Sequence, residues 1–282
     1  MKKRKVLPVP RGSRVAFQGE LGAFSQRAAL QILGPSITPL PCASFEDVFE
    51  AVARGKAATA VIPIENSLAG SIHQNFDLLA RHSLQAIGET YVRIEHHVIG
   101  HRDTKLTQIR KIYSHPVALA QCQKFLRKLA KVEKVSFYDT AGSVKMIRER
   151  ELKDAAGIAS ADAARIYGMK ILARNVEDSR ENFTRFLALS RRGRHARGGE
   201  KTTVVFSLKN EPGALFKALS VFALRNIDLS KIESRPIHGK PWEYLFTIDL
   251  LSDIRSRQCS NALRHLQEMT LYLQVLGCYS AF

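Results

Sequence analysis

The chain has 282 residues, 45% of them hydrophobic and 24% charged, and a formal net charge of +17. That composition excludes wholesale disorder, and no run approaches the roughly 18 apolar residues of a membrane-spanning helix. Six of the positive charges lie in residues 1–14 and a net four in the segment RRGRHARGGEK (191–201), leaving seven for the other 257 residues. A nucleic-acid groove gathers Lys and Arg on one face of a folded element, so this distribution argues against nucleic acid as a partner.

Residues 1–13 read as a basic tail without the apolar segment of a secretory signal, and 191–201 as a basic linker. Between them, in 14–190, short apolar strands alternate with amphipathic helices. RVAFQG precedes a helix over 24–33. The spacing of Phe45, Val48, Phe49 and Val52 predicts another, and AVIPI precedes one over 71–80. KIYS, VSFYD and GIAS precede helices over 117–129, 143–149 and 161–167. Repeated βα units predict an α/β fold with parallel sheets. Residues 202–282 change rhythm to strand, helix, strand, strand, helix, strand. This βαββαβ order predicts a ferredoxin-like domain.

Cys42, Cys122, Cys259 and Cys278 are scattered without a CxxC pair, which predicts reduced thiols and no zinc site. His96, His97 and His101 lack a further ligand at matching spacing, so structural roles are expected and no metal. Gly19-Glu-Leu-Gly22 is one glycine short of a dinucleotide fingerprint. GxSxG, HExxH and P-loop motifs are absent.

Polar residues gather where strands give way to helices: Gly19 and Gly22, Asn66 and Ser67, Ser114 and His115, Thr140, and Ser160. Ligands bind at that edge of open α/β sheets, where helix N-termini expose N–H groups, so a cleft for a small anion is expected. Helix capping is the competing use for Ser25 and Thr140, and a solvated helix position for Gln121.

QGELGAFS, VIPIENSLAGSI, SHPVALAQC, DTAGS and NFTRF, followed by GALF and ESRP, together resemble the prephenate dehydratase family with a C-terminal ACT regulatory domain. NFDLLARH, FKALSVFALRNIDLSKIESRP and LQVLGCY are most similar to its plant-type arogenate dehydratases. The resemblance implies a two-lobed catalytic domain like the type II periplasmic binding proteins, with about 14–95 and 175–190 in one lobe and 96–174 in the other. It implies a lyase of phenylalanine biosynthesis that removes water and carbon dioxide from arogenate, prephenate or both, without cofactor or metal. A strict prephenate dehydratase and a non-catalytic amino-acid-binding regulator are the alternatives.

Carried over by motif, Thr184 assists the leaving hydroxyl, with Ser114, His115 or a water as other sources of the proton. Asn66 and Gln121 orient the substrate. Ser67 and Thr140 line the cleft, backbone N–H groups around Gly19 and Gly22 suit a carboxylate, Arg185 is a carboxylate partner or ion-pair member, and Phe186 packs. In the ACT domain, Asn210, Pro212, Gly213, Ala214, Leu215, Glu233, Ser234 and Arg235 match the regulatory motifs that imply phenylalanine as effector, although Phe216 stands where the family has Val. The resemblance also implies a homodimer or homotetramer, no membrane partner, and the plastid stroma for a plant-type enzyme or the cytoplasm otherwise.

Overall fold

The computed structural model describes residues 6–191, 199–237 and 239–280; Lys2–Lys5 of the tail and residues 192–198 of the linker lie outside them. Two compact units divide the chain. One comprises Met1–Phe76 with Thr90–Ala188, the other Asp77–Glu89 with Leu189–Phe282.

The first unit opens with β1 (Arg14–Gln18), which buries Val15, Ala16 and Phe17. In α1 (Phe24–Leu33), Ala28, Ala29, Ile32 and Leu33 share one face and are all buried. β2 (Thr38–Cys42) leads to α2 (Phe45–Ala53), which begins on a reciprocal capping box between Ser44 and Asp47. β3 (Thr59–Asn66) and β4 (Gly70–Ser71) follow, then α3 (His73–Arg81) and β5 (Gln85–Arg93), whose residues 77–89 belong to the second unit. The chain then crosses to a second sheet through β6 (His97–Gly100), β7 (Lys111–Ser114), α4 (Pro116–Ala120), α5 (Gln123–Arg127) and β8 (Glu133–Ser136). α6 (Thr140–Glu149), β9 (Ala155–Ala159), α7 (Ala161–Ile166) and β10 (Lys170–Ala173) complete that lobe, and the chain returns in β11 (Phe183–Ser190).

The first sheet has the order β2-β1-β3-β11-β5, with β4 paired to β3; the second has the order β10-β6-β9-β7-β8. Neither is purely parallel. β1 pairs in parallel with β2 and β3, and β7 with β8 and β9, as βα units require. β6, however, runs antiparallel to both β9 and β10. It enters from the other lobe without a crossover helix, so nothing imposes the parallel direction.

A second difference lies at residues 117–129, where one helix was expected and two short ones form. Asp178, on the return crossing, accepts hydrogen bonds from the backbone N–H groups of Gln123 and Lys124 at 3.0 and 2.9 Å. Its own N–H donates to the Gln121 carbonyl at 2.7 Å. This external cap starts α5 afresh and leaves Gln121 at the end of α4.

The second unit contains β12 (Lys201–Leu208), α8 (Ala214–Ala223), β13 (Leu229–Ile237), β14 (Lys240–Leu250), α9 (Arg257–Met269) and β15 (Thr270–Tyr279). Its antiparallel sheet has the order β13-β14-β12-β15. Val204, Phe206 and Ile248 pack with Ala218, Phe222, Cys259, Ala262 and Leu266 of the helices as one core. The segment 77–89 belongs to this unit. Lys201 and Glu89 form an ion pair of 2.7 Å with side chains 7% and 1% exposed. At Gly277 a Cβ would lie 2.2 Å from the Ala86 carbonyl oxygen, so only glycine lets β15 lie this close. Among the described residues no helix is long and apolar enough to cross a membrane.

Candidate active site

β3 and β11 are neighbours in the first sheet, so Asn66, which ends β3, lies beside Thr184 on β11. The Asn66 Oδ1 accepts hydrogen bonds from the N–H groups of Leu68 and Ala69 at 3.1 and 2.9 Å. Two N–H donors fix which end of the carboxamide is oxygen, and Nδ2 must then donate. Its acceptors are the Thr184 Oγ1 at 3.0 Å, the Asn182 Oδ1 at 2.8 Å and the Phe183 carbonyl at 3.1 Å.

Asn182 passes the direction on. Its Nδ2 donates to the Gln121 Oε1 at 2.8 Å, and the Gln121 Nε2 donates to the Asn66 Oδ1 at 3.3 Å. Three carboxamides thus close a ring in which every donor points the same way around. Asn182 is fully buried, and Asn66 and Thr184 are each 8% exposed. In such a sheltered place hydrogen bonds polarise one another and are costly to leave unmade. The ring hands one N–H to the Thr184 oxygen. That donation occupies the oxygen as an acceptor, and among the described residues no side chain accepts the hydroxyl proton.

Other expected site residues are placed differently. The Ser114 side chain is buried and donates to the Ile158 carbonyl at 2.6 Å, which commits its proton. His115 caps α4, its Nδ1 accepting from the Val117 N–H at 3.3 Å, so the neutral ring carries its proton on Nε2. Burial pushes its pKa below the usual histidine value, with Asp139 opposing. Ser67 fastens the start of β11: its Oγ donates to the Glu181 carbonyl at 2.7 Å and accepts from the Phe183 N–H at 2.9 Å. Arg185 is buried with Glu65 at 3.9 Å, and Phe186 is a core residue.

The Gly19–Gly22 turn spends its amides inside the protein. Gly19 N–H donates to the Cys42 carbonyl, Glu20 N–H to the Asp139 carboxylate and Gly22 N–H to the Gln26 side chain. A carboxylate has little left to bind there. The glycines instead allow the two lobes to touch: a Cβ on Gly22 would lie 2.6 Å from the Ala163 Cα, and one on Gly19 2.8 Å from the Asp139 Oδ1. Glu20 adds bonds to Tyr138 at 2.9 Å and Lys145 at 3.1 Å, and the Ser160 Oγ donates to the Gly22 carbonyl at 2.6 Å. Thr140 is the first residue of α6, whose cap is Asp139. Burial raises the Asp139 pKa, and the N–H groups it receives hold the rise back.

Two contributors were not singled out from sequence, Asn182 and Asp139, while His96 was expected to have a structural role only. Asn182 stands inside NFTRF, two residues from Thr184, and Asp139 inside DTAGS, beside Thr140, so motif neighbours were the available signal. Among the described residues His96, His97 and His101 do not converge. Their ring nitrogens meet Gln121, the Asn175 N–H and the Ile147 carbonyl respectively.

In the second unit, Gly213 precedes α8 with φ +81°, a conformation that glycine adopts freely. Asn210, Ala214 and Leu215 line a hollow of about 110 Å³ together with Tyr244 and Phe246. Glu233 pairs with Lys231 at 3.0 Å. Arg235 pairs with Asp77 and lines a separate cavity of about 700 Å³.

The profile of the Prephenate dehydratase family matches residues 15–194, and that of the ACT domain matches residues 202–258. The chain belongs to the prephenate dehydratase family. It is 45% identical to "Arogenate dehydratase/prephenate dehydratase 2, chloroplastic" of Arabidopsis thaliana, covering 94% of the chain and 72% of that relative. A solved prephenate dehydratase from Arthrobacter aurescens in complex with L-Phe superposes with TM-score 0.87 at 32% identity, covering 95% of the chain and 90% of that structure. A structure described as GqqA, a novel type of quorum quenching acylase, superposes with TM-score 0.85 at 37% identity, covering 95% of the chain and 98% of that structure. Like its prephenate dehydratase relatives, this α/β lyase joins its catalytic region to a C-terminal ACT domain.

Proposed function

We propose that the chain dehydrates and decarboxylates arogenate to L-phenylalanine, prephenate to phenylpyruvate, or both, with Thr184 assisting the departing hydroxyl. The observation that carries this reading is the donation from Asn66 to the Thr184 oxygen at 3.0 Å. It orients the hydroxyl and stabilises negative charge on its oxygen. The ring hydroxyl of the substrate takes a proton and leaves as water. The ring carboxylate leaves as carbon dioxide, and the electron pair of its C–C bond completes the aromatic ring. One proton is consumed. Hydroxyl assistance of this kind is worth about 10²–10⁴ in rate, and fixing the substrate against the carboxamide ring adds an orientation contribution.

Purified protein incubated with each substrate tests the reading directly, with phenylpyruvate and phenylalanine as the products to detect. The ratio of kcat/KM between the two gives the preference. Turnover of neither would overturn the assignment.

The likeness to the acylase raises a second reading, hydrolysis of an acyl amide. An acyl-transfer serine or threonine needs a base within reach. Here Ser114 is committed to a carbonyl, and Thr184 receives a proton donor. Incubation with an N-acyl amide under the same conditions separates the two chemistries.

In the C-terminal domain, the hollow beside Asn210, Ala214 and Leu215 offers a helix N-terminus to a carboxylate and aromatic walls to a phenyl ring. It supports phenylalanine as the effector, bound where two copies of the domain pair. Such pairing makes the enzyme a homodimer or homotetramer. The chloroplastic relatives support a plastid location.

A further inference from the structure

We propose that His96 is a positioning residue for the dehydration, a fixed proton donor that locks the Gln121 corner of the carboxamide ring in place. The proposal rests on the dehydratase reading for its kinetic readout. His96 lies where the chain first crosses between lobes, 2% exposed, with its ring edge against Phe24 at 5.6 Å. Both crossings are riveted at this residue. Its N–H donates to the Glu177 Oε2 at 2.9 Å, and its carbonyl accepts the Val176 N–H at 2.9 Å.

The His96 Nε2 stands 3.2 Å from the Gln121 Oε1. That oxygen already receives the Asn182 Nδ2 at 2.8 Å, so it is an acceptor and the His96 Nε2 must carry the hydrogen. The Nδ1 is then a bare lone pair, and it is buried without a partner. Burial holds the ring neutral by lowering its pKa. An imidazole in this tautomer is a one-way donor.

Its effect is to add a second lock to a direction that the Leu68 and Ala69 N–H groups set through Asn66 and Asn182. If Gln121 flipped, its NH₂ would face two donors, and the ring of Asn66, Asn182 and Gln121 would break. The Leu68 and Ala69 N–H groups hold one corner of that ring, and His96 holds another. Through Gln121 and Asn66 the constraint reaches the Thr184 hydroxyl, which His96 does not touch.

The test compares His96→Gln, which keeps a donor near the Nε2 position, with His96→Met, which fills similar space without one. Gln121→Ala and the double variant with His96→Met complete a cycle. Expected are a kcat lowered roughly tenfold or more by Met, within about threefold of wild type for Gln, and KM within about threefold throughout. The double variant should be no slower than Gln121→Ala alone. Equal kcat for the Met and Gln variants, or losses that multiply in the double variant, would overturn the proposal. Nitrogen-15 NMR of the wild-type protein reads the tautomer without any variant. A protonated Nε2 is expected for His96, and a protonated Nδ1 overturns the assignment. A wild-type protein inactive on both substrates would refute the dehydratase reading while leaving the tautomer result to judge His96.

Discussion

Asn66 donates to Thr184, and not the reverse: the carboxamide nitrogen lies 3.0 Å from the hydroxyl oxygen while its own oxygen is held by two backbone N–H groups. In the proposed mechanism the hydroxyl therefore enters the reaction with its oxygen stabilised and its proton uncommitted among the described residues. Thr184→Ala should lower kcat at least ~10²-fold with KM changed less than about threefold. Thr184→Ser, which keeps the hydroxyl, should retain turnover within about tenfold. Steady-state kinetics on both substrates decides, and near-wild-type turnover by the alanine variant would remove Thr184 from the mechanism.

Gly22 combines φ +91° with a neighbour that leaves no room for a Cβ. Overpacking against backbone costs about 1–3 kcal/mol, and a strained left-handed residue adds about 1–3 more. Gly22→Ala should lower Tm by at least ~5 °C. Gly70, with φ +81° and open space around it, is the control. Its alanine variant should lose only the backbone contribution.

Asp139 makes stability depend on pH in an unusual direction for a carboxylate. Its folded pKa is raised above 3.8, chiefly by burial. The folded state then holds the proton more tightly, so the contribution is full below 3.8 and is lost as pH rises through the raised value. Asp139→Asn keeps an acceptor for the α6 cap and removes the titration. The stability of wild type minus that of the variant, from urea unfolding at several pH values, should fall across this window and level off above it. A difference that grows with pH contradicts the placement.

Lys201 and Glu89 are both buried, which makes either alone a liability. Removing one partner of such a pair typically costs about 3–5 kcal/mol, whereas replacing both by apolar residues is often close to neutral. Denaturant unfolding of Lys201→Met should show that loss, and Lys201→Met with Glu89→Leu should recover most of it. Additive losses would mean that the two charges do not depend on one another.

The elements were legible in the sequence wherever the apolar spacing was regular. Leu33 closes the first helix where the pattern ends, and the C-terminal βαββαβ order follows strand by strand. Gln121 was harder to read because its position is decided by Asp178, 57 residues away, which interrupts the helix and turns a solvated site into part of the ring. Gly19 and Gly22 were expected to offer N–H groups to a carboxylate, but spacing could not tell a ligand loop from a contact between lobes. Both uses demand glycine for close approach. Long-range contacts of this kind leave no periodicity to find.

The seating of Ala86 against Gly277 bears on how the protein can be taken apart. Residues 77–89 precede Gln121, Asn182 and Thr184 in the chain, yet they belong to the unit of its C-terminal part. A chain ended after residue 190 would keep Glu89 but lose its ion-pair partner Lys201, and the Ala86 carbonyl would lose the glycine backbone packed against it. Loss of activity in such a truncation would therefore report damage at 77–89 as well as the missing effector domain. Point substitutions, not deletions, are the way to separate catalysis from regulation in this enzyme.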